Sequence, residues 1–98
     1  MTINVEKNDS CVTLKIDGRV DTTTAPALEK EIILSTDEAQ ELVLDMEKVE
    51  YISSAGLRVL LSAQKKISQI GMMKLVNVSE IVMEVFEMTG FADILTIE

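Results

Sequence analysis

The stretch VEYISSAGLRVLL, residues 49–61, decides how this chain is read. Val49 to Ile52 is strand-like, and from Ser54 onward Leu57, Leu60 and Leu61 recur at helical spacing. Ser53, Ser54, Ala55 and Gly56 sit at the junction. A strand that runs straight into a helix leaves the first helical N–H groups without partners. A hydroxyl from Ser53 or Ser54 satisfies one of them, worth ~1 kcal/mol. The same geometry supports a second reading. The junction lies at the carboxyl end of a strand, where open α/β sheets place their sites. Gly56 has no Cβ, which leaves room for another molecule. The free amides and the positive end of the helix dipole favour an anion, so a serine there can carry a phosphate.

Upstream, Ile3 and Val5 alternate with Asn4 and Glu6, and Val12, Leu14 and Ile16 alternate with Thr13, Lys15 and Asp17. This period of two predicts two half-buried strands, with Asn8-Asp9-Ser10 as a tight hairpin. Asp17-Gly18 ends or bulges the second strand. Thr22-Thr23-Thr24 before Ala25-Pro26 predicts a helix start with a hydroxyl cap, and Ala25, Leu28 and Ile32 mark its apolar face. Leu42-Val43-Leu44 is a continuous apolar run, which suits a central strand.

Downstream, the second helix carries Leu57, Leu60, Leu61, Ile67 and Ile70, and Gly71 is expected to close it in a left-handed turn. Lys74 to Val78 reads as a fourth strand. Ser79 caps a third helix with Val82, Val85 and Phe86 on its apolar face, and Gly90 ends it. Asp93 to Ile97 is expected to add a short edge strand. The order β-β-α-β-α-β-α-β predicts one α/β domain over residues 1–98, with a mixed, mostly parallel sheet and helical crossovers.

Composition narrows the chemistry. The chain has 98 residues, of which 47 % are hydrophobic, enough for one compact core. Its net charge of −8 argues against nucleic acid and anionic membrane surfaces as partners. No histidine is present, which removes the Ser-His-Asp and Cys-His mechanisms and most zinc sites. No Gly precedes a Lys-Ser or Lys-Thr pair at Walker spacing. No apolar run approaches the ~20 residues that cross a bilayer. The first ten residues show no secretory pattern, and Cys11 is the single cysteine, so a reducing, cytoplasmic home is expected. No cofactor and no metal are called for.

Two segments, GRVDTTTAPALEKEI and LVLDMEKVEYISSAGLRVLL, together resemble the STAS domain family, specifically the bacterial anti-sigma factor antagonists. The family shows Gly-x-Leu/Val-Asp before its first helix and Asp-Ser-x-Gly-Leu opening its second. EVFEMTGFADIL is similar to the family's ending, so the resemblance spans essentially the whole chain. It implies a binding module and not an enzyme. Such a domain binds an anti-sigma factor that is a serine kinase, and a sigma factor is released. The kinase then phosphorylates the antagonist on the serine two residues before the glycine, and a phosphoserine phosphatase reverses the mark. On this chain the phosphoacceptor is Ser54, with Ser53 as the lesser candidate. The implied partner surface comprises Asp21, Thr22, Thr23, Ser53, Ser54, Ala55, Gly56, Leu57 and Arg58. Ser53 departs from the family's usual Asp, and Ala55 from its usual Ser or Thr. The alternative is a STAS scaffold without a phosphate switch, in a signalling assembly or a lipid transporter.

Overall fold

A computed structural model describes residues 1–37 and 39–98. β1 (Thr2–Asn8) and β2 (Cys11–Val20) form the expected hairpin, turned at Asp9 with φ 56°. α1 (Ala25–Thr36), β3 (Glu41–Ile52), α2 (Ser54–Ile67), β4 (Met72–Val76) and α3 (Glu80–Thr89) follow. The sheet order is β1-β2-β3-β4, with β1 antiparallel to β2 and the two inner junctions parallel.

The period-two pattern explains which face is buried. Val12 pairs with Leu42, and Leu14 with Leu44; across the next junction Leu42 pairs with Met73 and Leu44 with Leu75. All of these are buried, and they meet Leu28 and Ile32 of α1, Leu57, Leu60 and Ile67 of α2, and Val82 and Phe86 of α3 in one core. The opposite face carries Thr13, Lys15, Asp45 and Lys74, a polar set without a helical layer among the described residues. Val43 is the apolar residue at its centre, between Thr13 and Lys74.

The apolar run at Leu42-Val43-Leu44 is the start of a longer strand. β3 continues as far as Ile52 because β2 accompanies it, with register shifts between Lys15 and Asp17 and between Gly18 and Arg19. Each shift inserts extra residues of β3, and bulges of this kind bend a strand and re-aim its side chains. Asp17-Gly18 therefore neither ends β2 nor bulges it: the two residues pair in register with Lys48 and Val49, between shifts whose extra residues belong to β3.

Several expectations about helix ends change. The hydroxyl cap expected for α1 is absent: Thr24 is the N-cap but makes no side-chain capping bond. Its Oγ1 instead accepts from the Asp21 amide at 2.9 Å and donates to the Arg19 carbonyl at 2.7 Å. α2 ends at Ile67, with Lys65 and Lys66 in its last turn, so Ile70 lies beyond it and is exposed. Gly71 is not left-handed. It is required because a Cβ there would overlap the Gln40 carbonyl, whose oxygen accepts from Met72 N at 2.8 Å. α3 meets its expectation at both ends: Ser79 Oγ accepts from Val82 N at 3.3 Å, and Gly90 takes φ 83°.

The last strand shrinks to a single bridge. Phe91–Asp93 form a 3-10 turn, and the Ile94 and Leu95 amides donate back to the Phe91 carbonyl. Only the final residues remain to pair: Ile97 bridges Leu75 in parallel, with Leu75 N to Thr96 O and Glu98 N to Leu75 O both 2.9 Å. Lys74 ties this tail to the sheet, with its Nζ 3.6 Å from Glu98 of the tail and 3.3 Å from Glu41 of β3. Among the described residues no helix is long and apolar enough to cross a membrane.

Candidate functional site

The parallel pairing of β2 and β3 ends at Val20 and Ile52, which brings two loops together. Ser53 N donates to the Val20 carbonyl at 2.8 Å, so the junction before α2 is tied to the loop that begins at Asp21. The two serines now separate. Ser53 is the N-cap: it is extended, its carbonyl accepts from Leu57 N at 2.9 Å, and its Oγ accepts from Gly56 N at 3.4 Å. Ser54 is the first helical residue, it is exposed, and its hydroxyl has no hydrogen-bond partner among the described residues. The amides of Ser54 and Ala55 likewise find no acceptor among the described residues, which is where a helix dipole is most positive.

Ala55 is half-buried and Arg58 is exposed. Arg58 stands four residues after Ser54 and therefore on the same helix face. Gly56 and Leu57 point the other way, into the protein. The space left by the missing Cβ of Gly56 is not open to another molecule: an added carbon would lie 2.7 Å from both Ile52 Cγ1 and Val20 Cγ1. Gly56 lets the first turn of α2 settle on the strand ends. Gly56→Ala is expected to destabilise the fold by about 2 kcal/mol through overpacking, read as a lower denaturant midpoint.

The neighbouring loop is organised by one carboxylate. Asp21 Oδ1 accepts from the Thr23 hydroxyl at 2.7 Å, the Thr23 amide at 3.0 Å, the Thr24 amide at 3.1 Å and the Thr24 hydroxyl at 3.2 Å. Asp21, not a threonine hydroxyl, therefore satisfies the free amides ahead of α1. The Thr23 hydroxyl is the largest influence holding its pKa below the ordinary 3.8; burial opposes the shift, and the Thr24 and Thr23 amides reinforce it. A carboxyl lowered on folding stabilises the fold above its unfolded value, and that contribution is lost as pH falls through the folded value. The acid limb of the stability curve should thus extend below pH 3.8, and Thr23→Val should raise the Asp21 midpoint in a carboxyl NMR titration. Thr22 and Thr23 are exposed beside it.

Two further residues belong to this surface and were not singled out by pattern. Arg19 pairs with Tyr51 across the strands; its guanidinium carbon lies 4.2 Å from the ring centroid, and its Nε lies 3.7 Å from Asp21 Oδ2. Arg and Tyr are the side chains enriched at the energetic centres of interfaces. Their only sequence trace is that Arg19 lies within GRVD and Tyr51 opens YISS. Among the described residues no group of three metal-ligating side chains occurs.

Comparison with known proteins finds relatives along the whole chain. A putative anti-sigma factor antagonist, BtrV of Bordetella bronchiseptica, is 36 % identical over 96 residues, covering 96 % of this chain and 83 % of its own. An anti-sigma-B factor antagonist of Bacillus subtilis is 30 % identical over 98 residues, covering 99 % and 90 %. The crystal structure of an anti-sigma factor antagonist from Mycobacterium paratuberculosis superposes with a TM-score of 0.89 at 28 % identity, covering 98 % of this chain and 83 % of that one. These relatives are named as anti-sigma factor antagonists, not as enzymes, in agreement with the sequence reading. The STAS domain model matches residues 2–98, and the chain belongs to the STAS domain family.

Proposed function

We propose that this chain is an anti-sigma factor antagonist: it docks on an anti-sigma factor that is a serine kinase, a sigma factor is freed, and phosphorylation of Ser54 ends the interaction. A phosphoserine phosphatase restores the binding form, and the cycle runs in the cytoplasm. The observation that carries this reading is the division of labour at the junction. Ser53 holds the helix cap, so Ser54 is exposed and has no structural duty among the described residues.

The physics of such a switch is local. A phosphoserine adds about −1.5 to −2 charges, taking the chain from −8 to about −10. At the first position of α2 the open amides and the dipole favour it by ~0.3–1 kcal/mol, so the free fold tolerates it. Inside an interface the same ion is unpaired, at a cost of several kcal/mol. Reversing a 99:1 preference takes ~5.5 kcal/mol, which one central phosphate supplies without refolding the domain. The surface around it is formed by Asp21, Thr22, Thr23 and Arg58, extended by Arg19 and Tyr51.

Incubation with the cognate kinase and ATP, followed by mass-spectrometric mapping, tests the assignment. Phosphate is expected on Ser54, lost in Ser54→Ala and kept in Ser53→Ala. Ser53→Ala should instead lower stability by ~1 kcal/mol through loss of the cap. Phosphate on a different residue, or none, would overturn the proposal.

A further inference from the structure

Two helices carry opposite charge. α2 has Arg58, Lys65 and Lys66 and no acidic residue, in a chain of net charge −8. α3 has Glu80, Glu84 and Glu87 and no basic residue. None of these six side chains forms an ion pair among the described residues. Each helix also borders exposed apolar surface. On α3, Ile81 is 62 % exposed and Met88 87 % exposed, with Val85 between them half-buried. They recur at i, i+4 and i+7, which makes one stripe along the helix. At about 100° per residue the three glutamates fall on one flank of that stripe, and the core residues Val82 and Phe86 on the other. Between α1 and α2 lies a shallow cleft floored by the buried Ile32, Val59 and Ala63. Its α1 rim carries Ile33, 43 % exposed, and Glu29; its α2 rim carries Ser62 and Lys66. Single exposed apolar residues are ordinary, but an apolar stripe edged by one sign of charge marks a contact surface.

The geometry points to a second copy of this chain as the occupant of the cleft: α3 of one copy lies along the α1–α2 cleft of the next, anchored by Ile81, Val85 and Met88. A helix that lays apolar anchors of this spacing into an apolar groove is a recurring mode of recognition. The lengths agree. α3 has 10 residues, about 15 Å, and α2 has 14, about 21 Å, so the stripe fits within the walls of the cleft. The cleft holds about 230 Å³, enough for the tips of the stripe while the backbone of α3 stays above it. Charge sets the direction in which α3 lies. With its glutamate flank over α2, Glu84 and its neighbours face Lys66 and Lys65, and Glu29 is left on the far rim. Turned end for end, α3 would set its glutamates against Glu29, and like charges in such a contact are costly. The two surfaces are different parts of the chain, so the contact is head to tail. Each copy offers both a helix and a cleft, and association runs on beyond two copies unless it closes into a ring. The inference does not rest on the phosphate switch.

Sedimentation equilibrium of the whole chain over a concentration series tests it. The wild type is expected to rise from 10.8 kDa to twice that mass and beyond as concentration increases. Ile81→Asp replaces an apolar anchor of α3 by a hydrated carboxylate, and Ser62→Glu puts an acid on the rim that receives the glutamates. Both positions are exposed, so circular dichroism should show the same fold, and each variant alone should associate at least tenfold more weakly. An equimolar mixture is the decisive case. Ile81→Asp keeps an intact cleft and Ser62→Glu an intact helix, so the two should form a complex of two chains. That complex should stop there, because the remaining helix and cleft carry the two new carboxylates. Each variant chain also has one more negative charge, so general repulsion would keep the mixture apart. A wild type that stays at 10.8 kDa up to about 1 mM, a variant that associates as well as wild type, or a mixture that stays at 10.8 kDa or grows past twice that mass would each overturn the proposal.

Discussion

Ser54→Asp is expected to reduce affinity for the anti-sigma partner at least ~100-fold, about 2.8 kcal/mol, while the melting temperature stays at the wild-type value. Ser54→Ala should bind as tightly as the unmodified chain. Both effects follow from the position of the side chain at the first residue of α2, exposed and without a hydrogen-bond partner among the described residues. In the free domain a carboxylate there is favoured by the helix dipole and by Arg58 one turn on, each worth a few tenths of a kcal/mol. In a docked complex it is stripped of water, and an unpaired ion in such a place costs several kcal/mol. The free state gains while the bound state loses, so the two contributions act in the same direction. Isothermal titration of the three proteins with the partner decides it. Equal affinities for Ser54→Asp and Ser54→Ala would show that this hydroxyl is not in the contact.

Gly71→Ala should be the most damaging single-methyl change in the chain, costing about 3 kcal/mol or more. For a domain of this size that lowers the melting temperature by roughly 15 °C. The added Cβ overlaps the Gln40 carbonyl oxygen, with the carbonyl carbon 2.7 Å away and Gln40 Cα 3.0 Å away. These are backbone atoms, so no rotamer change relieves the overlap. Gln40 is also pinned on both sides, because its amide donates to Ser10 O at 2.8 Å and its carbonyl accepts from Met72 N at 2.8 Å. Moving it breaks the start of both parallel junctions. Gly90→Ala is the control. Gly90 is left-handed at φ 83°, but a Cβ there meets nothing within 4 Å among the described residues, so only the backbone preference is lost, about 1–2 kcal/mol. A melting temperature for Gly71→Ala equal to that of Gly90→Ala would refute the packing account.

These two glycines show how far pattern carries. The same local signal, a glycine after an amphipathic run, predicts a left-handed helix ending at both. The reading is right for Gly90, because its role is set by its own backbone. It fails for Gly71, because its role is set by Gln40, thirty-one positions earlier in the sequence. Gly56 follows the same logic: the gap that suggested room for a ligand is filled by Val20 and Ile52. The cap of α1 was assigned to threonine hydroxyls, which are abundant there, whereas the Asp21 carboxylate collects the amides and the hydroxyls together. The contact of Arg19 with Tyr51 is not legible in the sequence because it needs the bulged register that sets them side by side. An extra residue on one strand cannot be counted from the alternation of either strand alone.

The amino-acid sequence by itself determined the order of the strands and helices as far as α3, the caps at Ser79 and Gly90, and the family. Periodicity, capping chemistry and short motifs are written over a few consecutive residues, and local backbone geometry expresses them directly. Tertiary structure alone decided which serine is left exposed, why Gly56 and Gly71 carry no side chain, and how Arg19, Asp21 and Tyr51 share one surface. Each of those depends on the parallel pairing of strands far apart in the chain, and on bulges that shift the pairing by whole residues.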